Sequence, residues 1–131
     1  MMHGKYLNQE RIIRMTDKIE VKKLPNLSLY SLIDNKLQFK YRFAKEKYKG
    51  QNEIIDYMKS AIIYGAKPEI LYDAFSNEAI PYESLVMTDG YFRWSSELLY
   101  YVEKYNLIMP KEFTDRVITD KTVKISKDML I

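Results

Sequence analysis

An Asp-Gly pair between two apolar runs is the feature that most constrains how this chain can fold. In the segment SLVMTDGYFRW, Asp89 and Gly90 separate residues with strong β preference, a pattern typical of a hairpin turn. Gly90 is expected to take the positive φ that other residues avoid. Ser95 follows as a candidate helix N-cap with Glu97 in the first helical turn. We therefore predict a small β element at 85–94 that leads directly into a helix.

The helix after the hairpin is predicted to be amphipathic. Its apolar face carries Leu98, Tyr101, Val102 and Tyr105. Helical spacing then places Glu97, Tyr100 and Lys104 on the outward face, with Glu103 beside them. Asn106 is a plausible helix stop, and Trp94 at the hairpin-to-helix junction is expected to be buried. A further short helix is predicted from Pro110, with Phe113 and Val117 facing inward.

The stretch 28–50 fits two interpretations. Leu37, Phe39, Tyr41 and Phe43 alternate as in a half-buried strand, whereas Leu37, Tyr41, Ala44 and Tyr48 share one helical face. The length of the stretch and the final Gly50 favour a helix. More helices are predicted for the segment NEIIDYMKSAIIYG, which Gly65 would stop, and from Pro68 to Phe75.

These patterns predict a single domain that is mainly α, with a small β-hairpin (an α+β fold). We expect residues 1–27 to be irregular, 28–75 to be helical, and 85–118 to form a hairpin followed by two helices. A chain of 131 residues buries about two-thirds of its unfolded surface, which suffices for one core.

Composition excludes several kinds of site. The chain has no Cys, so disulfides and thiolate metal sites are impossible. Its start has no apolar run of signal-peptide length, and no stretch is long enough to span a bilayer. We expect a cytoplasmic protein with no membrane partner.

Catalytic groups are also scarce in the sequence. The only histidine, His3, lies at a terminus and has no placed nucleophile beside it. Carboxylate pairs such as Glu112 with Asp115 fit solvated helix faces. No phosphate-binding loop or dinucleotide motif occurs. We therefore expect a protein that is not an enzyme and that needs no metal or cofactor, with a metal-assisted or acid–base enzyme as the least favoured alternative.

A basic and aromatic run at 36–49, KLQFKYRFAKEKYK, offers a different function. It combines six Lys/Arg and one Glu with four aromatic residues, and phosphate attraction with base stacking uses these residue types. The candidate contacts for nucleic acid are Lys36, Lys40, Arg42, Lys45 and Lys49. The same aromatics also fit a buried helix face, so both interpretations stay open.

The predicted helical stretch LIDNKLQFKYRFAKEKYKGQNEIIDYMKSAIIYG (32–65) resembles helix-pair segments of immunity-like proteins. The segment MTDGYFRWSSELLYYVEKYNLIMPKEF (87–113) resembles a C-terminal pattern of small bacterial immunity-like proteins of polymorphic-toxin systems. The resemblance rests on the turn, Trp, paired-Tyr and final Pro-x-Glu-Phe positions: Asp89, Gly90, Phe92, Trp94, Leu98, Tyr100, Tyr101, Tyr105, Pro110, Glu112 and Phe113. It implies a non-enzymatic protein that binds a cognate toxin directly.

The charge distribution indicates which part of the chain would face such a toxin. Residues 51–115 contain 11 Asp/Glu and 5 Lys/Arg, a net charge of −6, and an acidic surface attracts a basic partner. The candidate partner-binding residues are Glu97, Tyr100, Glu103, Lys104, Asp73 and Glu69. A nucleic-acid-binding or phage-associated regulatory protein is the alternative, through 36–49.

Overall fold

The computed structural model describes residues 12–131, and these form an α+β fold with three helices and two antiparallel sheets. In chain order the elements are β1 (Tyr30–Ile33), β2 (Lys36–Phe39), α1 (Gln51–Lys59), β3 (Ile62–Lys67), β4 (Ser84–Thr88), β5 (Arg93–Ser95), α2 (Ser96–Tyr105) and α3 (Lys111–Asp120). The predicted mainly α fold is therefore wrong, because two segments assigned to helices form strands or loops instead. His3 lies outside the described residues.

The first error concerns 28–50, where β1 and β2 form a hairpin instead of a helix. Asp34 and Asn35 connect the strands with φ of 51° and 63°, the two positive values that a two-residue type I′ turn requires. Beyond Phe39 the chain runs without a long helix or strand to Gly50. The alternation of apolar residues is thus the correct signal for Leu37 and Phe39, whereas Tyr41 and Phe43 lie beyond the strand. The turn chemistry overrides the helical spacing.

The second error concerns the helices expected between 52 and 75. Helix α1 ends at Lys59, and the chain enters β3 three residues later. Gly65 does not stop a helix but lies inside β3, where the pairing register with β4 shifts. The segment from Pro68 to Phe75 contains no helix. The range 28–75 is therefore not a helical unit, and the helix pair that the resemblance implies for 32–65 is wrong, since α1 is the one helix of that range.

The hairpin predicted at 85–94 is confirmed. Strand β4 is central in the order β3-β4-β5 and pairs Met87 with Trp94. Gly90 in the connecting loop has φ of 90°. The Ser95 side chain accepts a 3.1 Å hydrogen bond from the backbone N–H of Glu97, and Asn106 ends α2 with φ of 60°. Local capping therefore fixes where this helix begins and ends.

The main core lies between α2, α3, α1 and the three-stranded sheet. Trp94 is 1% exposed and packs edge-on against Phe113, with ring centroids 5.3 Å apart, so its predicted burial is confirmed. A smaller apolar cluster joins the two ends of the described chain, where Ile19 bridges Leu130. No helix in residues 12–131 combines the length and the apolar character needed to cross a membrane.

Candidate protein-binding face

The carboxylate of Asp73 is the organising group of one face of the molecule. It lies in the loop between β3 and β4 and is fully buried. The hydroxyls of Tyr100 and Tyr105 both donate to Oδ2 at 2.6 Å. The backbone N–H groups of Phe75 and Ser76 donate to Oδ1 at 2.7 and 3.0 Å. The loop is thereby tied to the last two turns of α2.

These hydrogen bonds decide the ionisation of Asp73. Burial alone would raise its pKa, but the donors from Tyr100, Tyr105 and the loop backbone outweigh burial and hold the pKa below its ordinary value. The pKa of Tyr100 is raised because its hydroxyl donates to Asp73, and the pKa of Tyr105 is raised for the same reason. Asp73 is therefore an ionised structural anchor with neutral tyrosines around it.

The loop that Asp73 anchors is ordered by its own backbone as well. The N–H of Ile80 donates to the carbonyl of Leu71, and the N–H of Asp73 donates to the carbonyl of Glu78. Asn77 takes the positive φ of 61° at the tip. A further hydrogen bond runs from the N–H of Ala74 to the Tyr101 hydroxyl at 2.8 Å. Residues 71–80 thus form a fixed turn on the protein surface.

This turn presents Phe75 to solvent in a row of aromatic rings, which we call the aromatic strip: Tyr30, Phe39, Phe75 and Tyr105. The Phe75 side chain is 56% exposed. Its ring stacks on Phe39 with centroids 5.4 Å apart and lies 4.7 Å from Tyr105. Tyr72 in the same turn is 57% exposed. Exposed aromatics held in place are the typical core of a protein interface.

Tyr100, predicted to face outward, is buried, so that part of the prediction is wrong. Its ring packs at right angles to that of Tyr101, and its hydroxyl donates a hydrogen bond to Asp73. Lys104 does lie on the surface, where its ammonium donates to the Tyr100 hydroxyl at 3.1 Å and lies 3.6 Å from Asp73. The structure thus brings Tyr100, Lys104 and Asp73 together as one cluster.

The other predicted partner-binding residues lie at two places. Glu103 accepts a 2.5 Å hydrogen bond from Tyr82 and forms a 2.9 Å ion pair with Lys59. The hydrogen bond to Glu103 raises the pKa of Tyr82 to about 12. Glu97 is half-buried, and its pKa is raised by burial and by the charge of Glu69. Glu69 itself accepts from the Ser84 hydroxyl at 3.1 Å.

The basic residues proposed for nucleic acid are all exposed: Lys36, Lys40, Arg42, Lys45 and Lys49. Lys40 lies beside Tyr41, with its Nζ 5.8 Å from the ring centroid, whereas the two phenylalanines of the segment pack against other rings. Phe39 and Phe43 pack against each other with centroids 5.0 Å apart, and both contact Tyr101. Lys36 and Phe39 have opposite parity along β2, so they lie on opposite faces of the hairpin.

Sequence reasoning does not identify Phe39, Phe75 and Tyr105 as surface residues. It places Phe75 and Tyr105 on apolar helix faces, and Phe39 on a strand or a helix. The signal that would have found Phe75 is the run DAFSN, because an Asp followed by small polar residues favours a turn closed by side-chain-to-backbone hydrogen bonds.

Neither a metal site nor a known relative identifies a function for this face. Within residues 12–131, no group of three or more His, Asp or Glu side chains is arranged to hold a metal ion. Comparison of the chain with protein-family models, curated proteins and solved structures found no match.

Proposed function

We propose that this chain is a non-enzymatic, immunity-like protein that neutralises a cognate bacterial toxin by binding it directly. The observation that carries the proposal is Phe75, an exposed aromatic side chain on a turn that a buried carboxylate holds rigid. More than half of this side chain stays exposed to water in the folded chain, since Phe75 is 56% exposed. Binding to a partner would remove its surface from water without first ordering the loop.

The charges near Phe75 support a basic partner. Residues 68–83 contain four Asp/Glu and no Lys or Arg. Of these, Asp73 is buried and held by internal hydrogen bonds, whereas Glu69, Glu78 and Glu83 are exposed. Exposed carboxylates in the segment that carries Phe75 would speed association with a basic protein and would provide specificity. The pattern at 87–113 supports the same function, because it resembles immunity-like proteins.

The alternative, nucleic-acid binding through 36–49, rests on the five exposed basic residues of that segment. Single-strand binding proteins combine such charges with aromatic rings on one surface. Here Lys36 and Phe39 lie on opposite faces of the hairpin, and only Lys40 is shown beside a ring of the segment, that of Tyr41. This partial separation of charges from rings favours the protein-binding function.

Site-specific photo-crosslinking tests the proposal in the cells where the chain is made. Phe75 is replaced by the photoreactive phenylalanine analogue p-benzoylphenylalanine, which preserves the aromatic ring. The matched control carries the same analogue at Ile118, which is 72% exposed on α3. We expect one discrete protein to be crosslinked from position 75 and not from position 118, and expression of that protein alone should be toxic.

Two results would contradict the proposal. Crosslinking from both positions to the same mixture of proteins would mean that no specific partner uses this face. Recovery of nucleic acid together with the chain, with affinity falling steeply as salt is raised, would instead favour the basic segment 36–49.

A further inference from the structure

A cleft where the two ends of the described chain meet is separate from the aromatic strip. Its volume is about 410 Å³, which lies in the range of small-molecule sites. Its walls come from the segments 12–15, 116–120 and 124–129 and from Tyr91. None of these residues belongs to the aromatic strip, so a ligand of this cleft would be additional to the partner of the strip.

The lining of the cleft is mainly aliphatic and thioether side chains. Ile125 and Met129 are buried members of the smaller apolar cluster. Ile12 and Met15 line the cleft as well, but each is 79% exposed. Covering such side chains with an apolar group is favourable because their surface leaves water, and methionine side chains adapt readily to the shape of a hydrocarbon.

The walls of the cleft are joined by backbone hydrogen bonds. The N–H of Ile19 donates to the carbonyl of Met129, and the N–H of Ile131 donates to the carbonyl of Ile19, both at 2.8 Å. Gly90 lets two wall residues approach the backbone, since an added Cβ would lie 2.8 Å from Ile13 and 3.0 Å from Ile125. A preformed cleft binds a ligand at little ordering cost.

The charged residues that line the cleft leave one cation without an ion pair. Arg116 and Asp120 form an ion pair at 3.3 Å, and the Arg116 guanidinium lies over the Tyr91 ring, 3.8 Å from its centroid. Lys124 is exposed and has no ion-pair partner among residues 12–131. The three wall segments together have a net charge of +2, from four basic and two acidic residues: Arg14, Arg116, Lys124, Lys127, Asp120 and Asp128.

We propose that this cleft binds an amphiphilic carboxylate, an alkyl chain that ends in one negative group. The chain would cover the exposed Met15 and reach Ile125 and Met129, and the carboxylate would lie beside Lys124. The Tyr91 hydroxyl, which makes no hydrogen bond among residues 12–131, is a second donor for the carboxylate. The inference is independent of toxin binding, because the two sites share no residue.

Decanoate, decanol and decyltrimethylammonium test the inference on the full chain, since they share one chain length and differ in charge. In methyl NMR titrations, the Ile125 and Met129 signals should shift and saturate, whereas Ile80 in the main core should not respond. We expect decanoate to bind at least about tenfold more tightly than decanol, and the cationic ligand most weakly. From hexanoate to decanoate, each added methylene should tighten binding by up to about fourfold.

Two substitutions separate recognition of the head group from recognition of the chain. Lys124→Gln should remove most of the preference for decanoate over decanol and should leave the dependence on chain length unchanged. Lys49→Gln, at another exposed lysine, is the matched control and should bind as the parent does. Met15→Ser should weaken decanoate and decanol alike, by about fivefold or more.

Three results would overturn the inference. Equal binding of the three ligands, with no effect of Lys124→Gln, would show hydrophobic association without recognition of a carboxylate. Methyl shifts spread over both apolar clusters would show detergent-like loosening of the fold instead of a site. Binding to phosphatidylglycerol vesicles, with no binding of decanoate below its critical micelle concentration, would assign this surface to an anionic bilayer.

Discussion

The Tyr105 hydroxyl donates a 2.6 Å hydrogen bond to the buried carboxylate of Asp73, and this contact joins the end of α2 to the loop that presents Phe75. The same carboxylate oxygen accepts from Tyr100. One buried charge therefore sets the position of the exposed aromatic surface. The geometry of the proposed interface and the stability of the fold depend on the same group.

Asp73→Asn should destabilise the protein by about 2–4 kcal/mol at pH 7, because hydrogen bonds to a charged acceptor are lost or weakened in a buried site. The folded-state pKa of Asp73 is lowered, and its unfolded value is about 3.9. Its stabilisation is therefore fully present above the unfolded pKa and is lost as pH falls through the folded pKa. Urea unfolding of both proteins at pH 7 and across the acid range measures this effect.

The difference between parent and Asp73→Asn should shrink on acidification. A Tyr105→Phe variant removes one of the hydrogen bonds to the charged carboxylate and should cost about 1.5–3 kcal/mol at pH 7. A difference between parent and Asp73→Asn that is small at pH 7, or that grows in acid, would contradict the anchoring role.

The pH dependence of stability that comes from Asp89 should be opposite to that from Asp73. Asp89 is buried and accepts a 2.6 Å hydrogen bond from Tyr57, but burial raises its pKa. A raised pKa means that the stability from protonated Asp89 is present below the unfolded pKa and is lost as pH rises through the folded value. The side-chain oxygen of an Asn at this position could still accept from the N–H groups of Tyr91 and Phe92, as Oδ1 of Asp89 does. Its amide N–H could donate to the Tyr57 hydroxyl, so Asp89→Asn should cost clearly less free energy of unfolding at pH 7 than Asp73→Asn.

The melting temperatures of the parent and of Asp89→Asn at pH 7 and at pH 4 measure this difference. A loss at pH 7 as large as that of Asp73→Asn would show that Asp89 is an ionised anchor as well.

Gly90→Ala should cost about 1–2 kcal/mol, because φ at this position is 90° and a non-glycine residue is strained there. The added Cβ would also lie 2.8 Å from Cδ1 of Ile13 and 3.0 Å from Cγ2 of Ile125. Gly65→Ala is the matched control, since it would meet nothing within 4 Å. Chemical denaturation of both variants should show a clear loss only for Gly90→Ala, and equal losses would contradict this packing.

Trp94→Ala should cost about 3–5 kcal/mol, because it empties a large volume against Phe113 in the core. The indole N–H of Trp94 has no hydrogen-bond partner among residues 12–131. Trp94→Phe should therefore cost clearly less than Trp94→Ala, since it loses volume but no hydrogen bond. Denaturant midpoints compare the two, and a loss below about 1 kcal/mol for Trp94→Ala would mean that the side chain is not a core residue.

The parts of the fold that follow from local chemistry could be predicted from the sequence. The turn at Gly90, the cap at Ser95 and the stop at Asn106 are all observed, because each depends on residues within a few positions. The burial of Trp94 is also predicted correctly. In this segment the turn and cap signals agree with the observed structure.

The errors arise where two periodicities compete or where distant residues decide the structure. Residues 37–43 fit both a strand and a helix, and the Asp34–Asn35 turn decides between them. Tyr100 has helical neighbours that suggest an exposed position, but the loop carrying Asp73 covers it. No pattern within α2 reveals a carboxylate that arrives from another part of the chain, so the candidate site could be predicted only in part.

The affinity of the cognate toxin for the parent chain and for Phe75→Ala, measured by isothermal titration calorimetry, tests the proposed binding face most directly. Ile118→Ala is the control at another exposed position, and its melting temperature should stay close to that of the parent. Phe75→Ala should lower the melting temperature, because Phe75 contacts the rings of Phe39 and Tyr105, so the titrations are run at a temperature at which all three proteins are folded. We predict that Phe75→Ala weakens binding by about tenfold or more, whereas Ile118→Ala binds as the parent does. Equal affinity of all three proteins would contradict the assignment of this face to the partner.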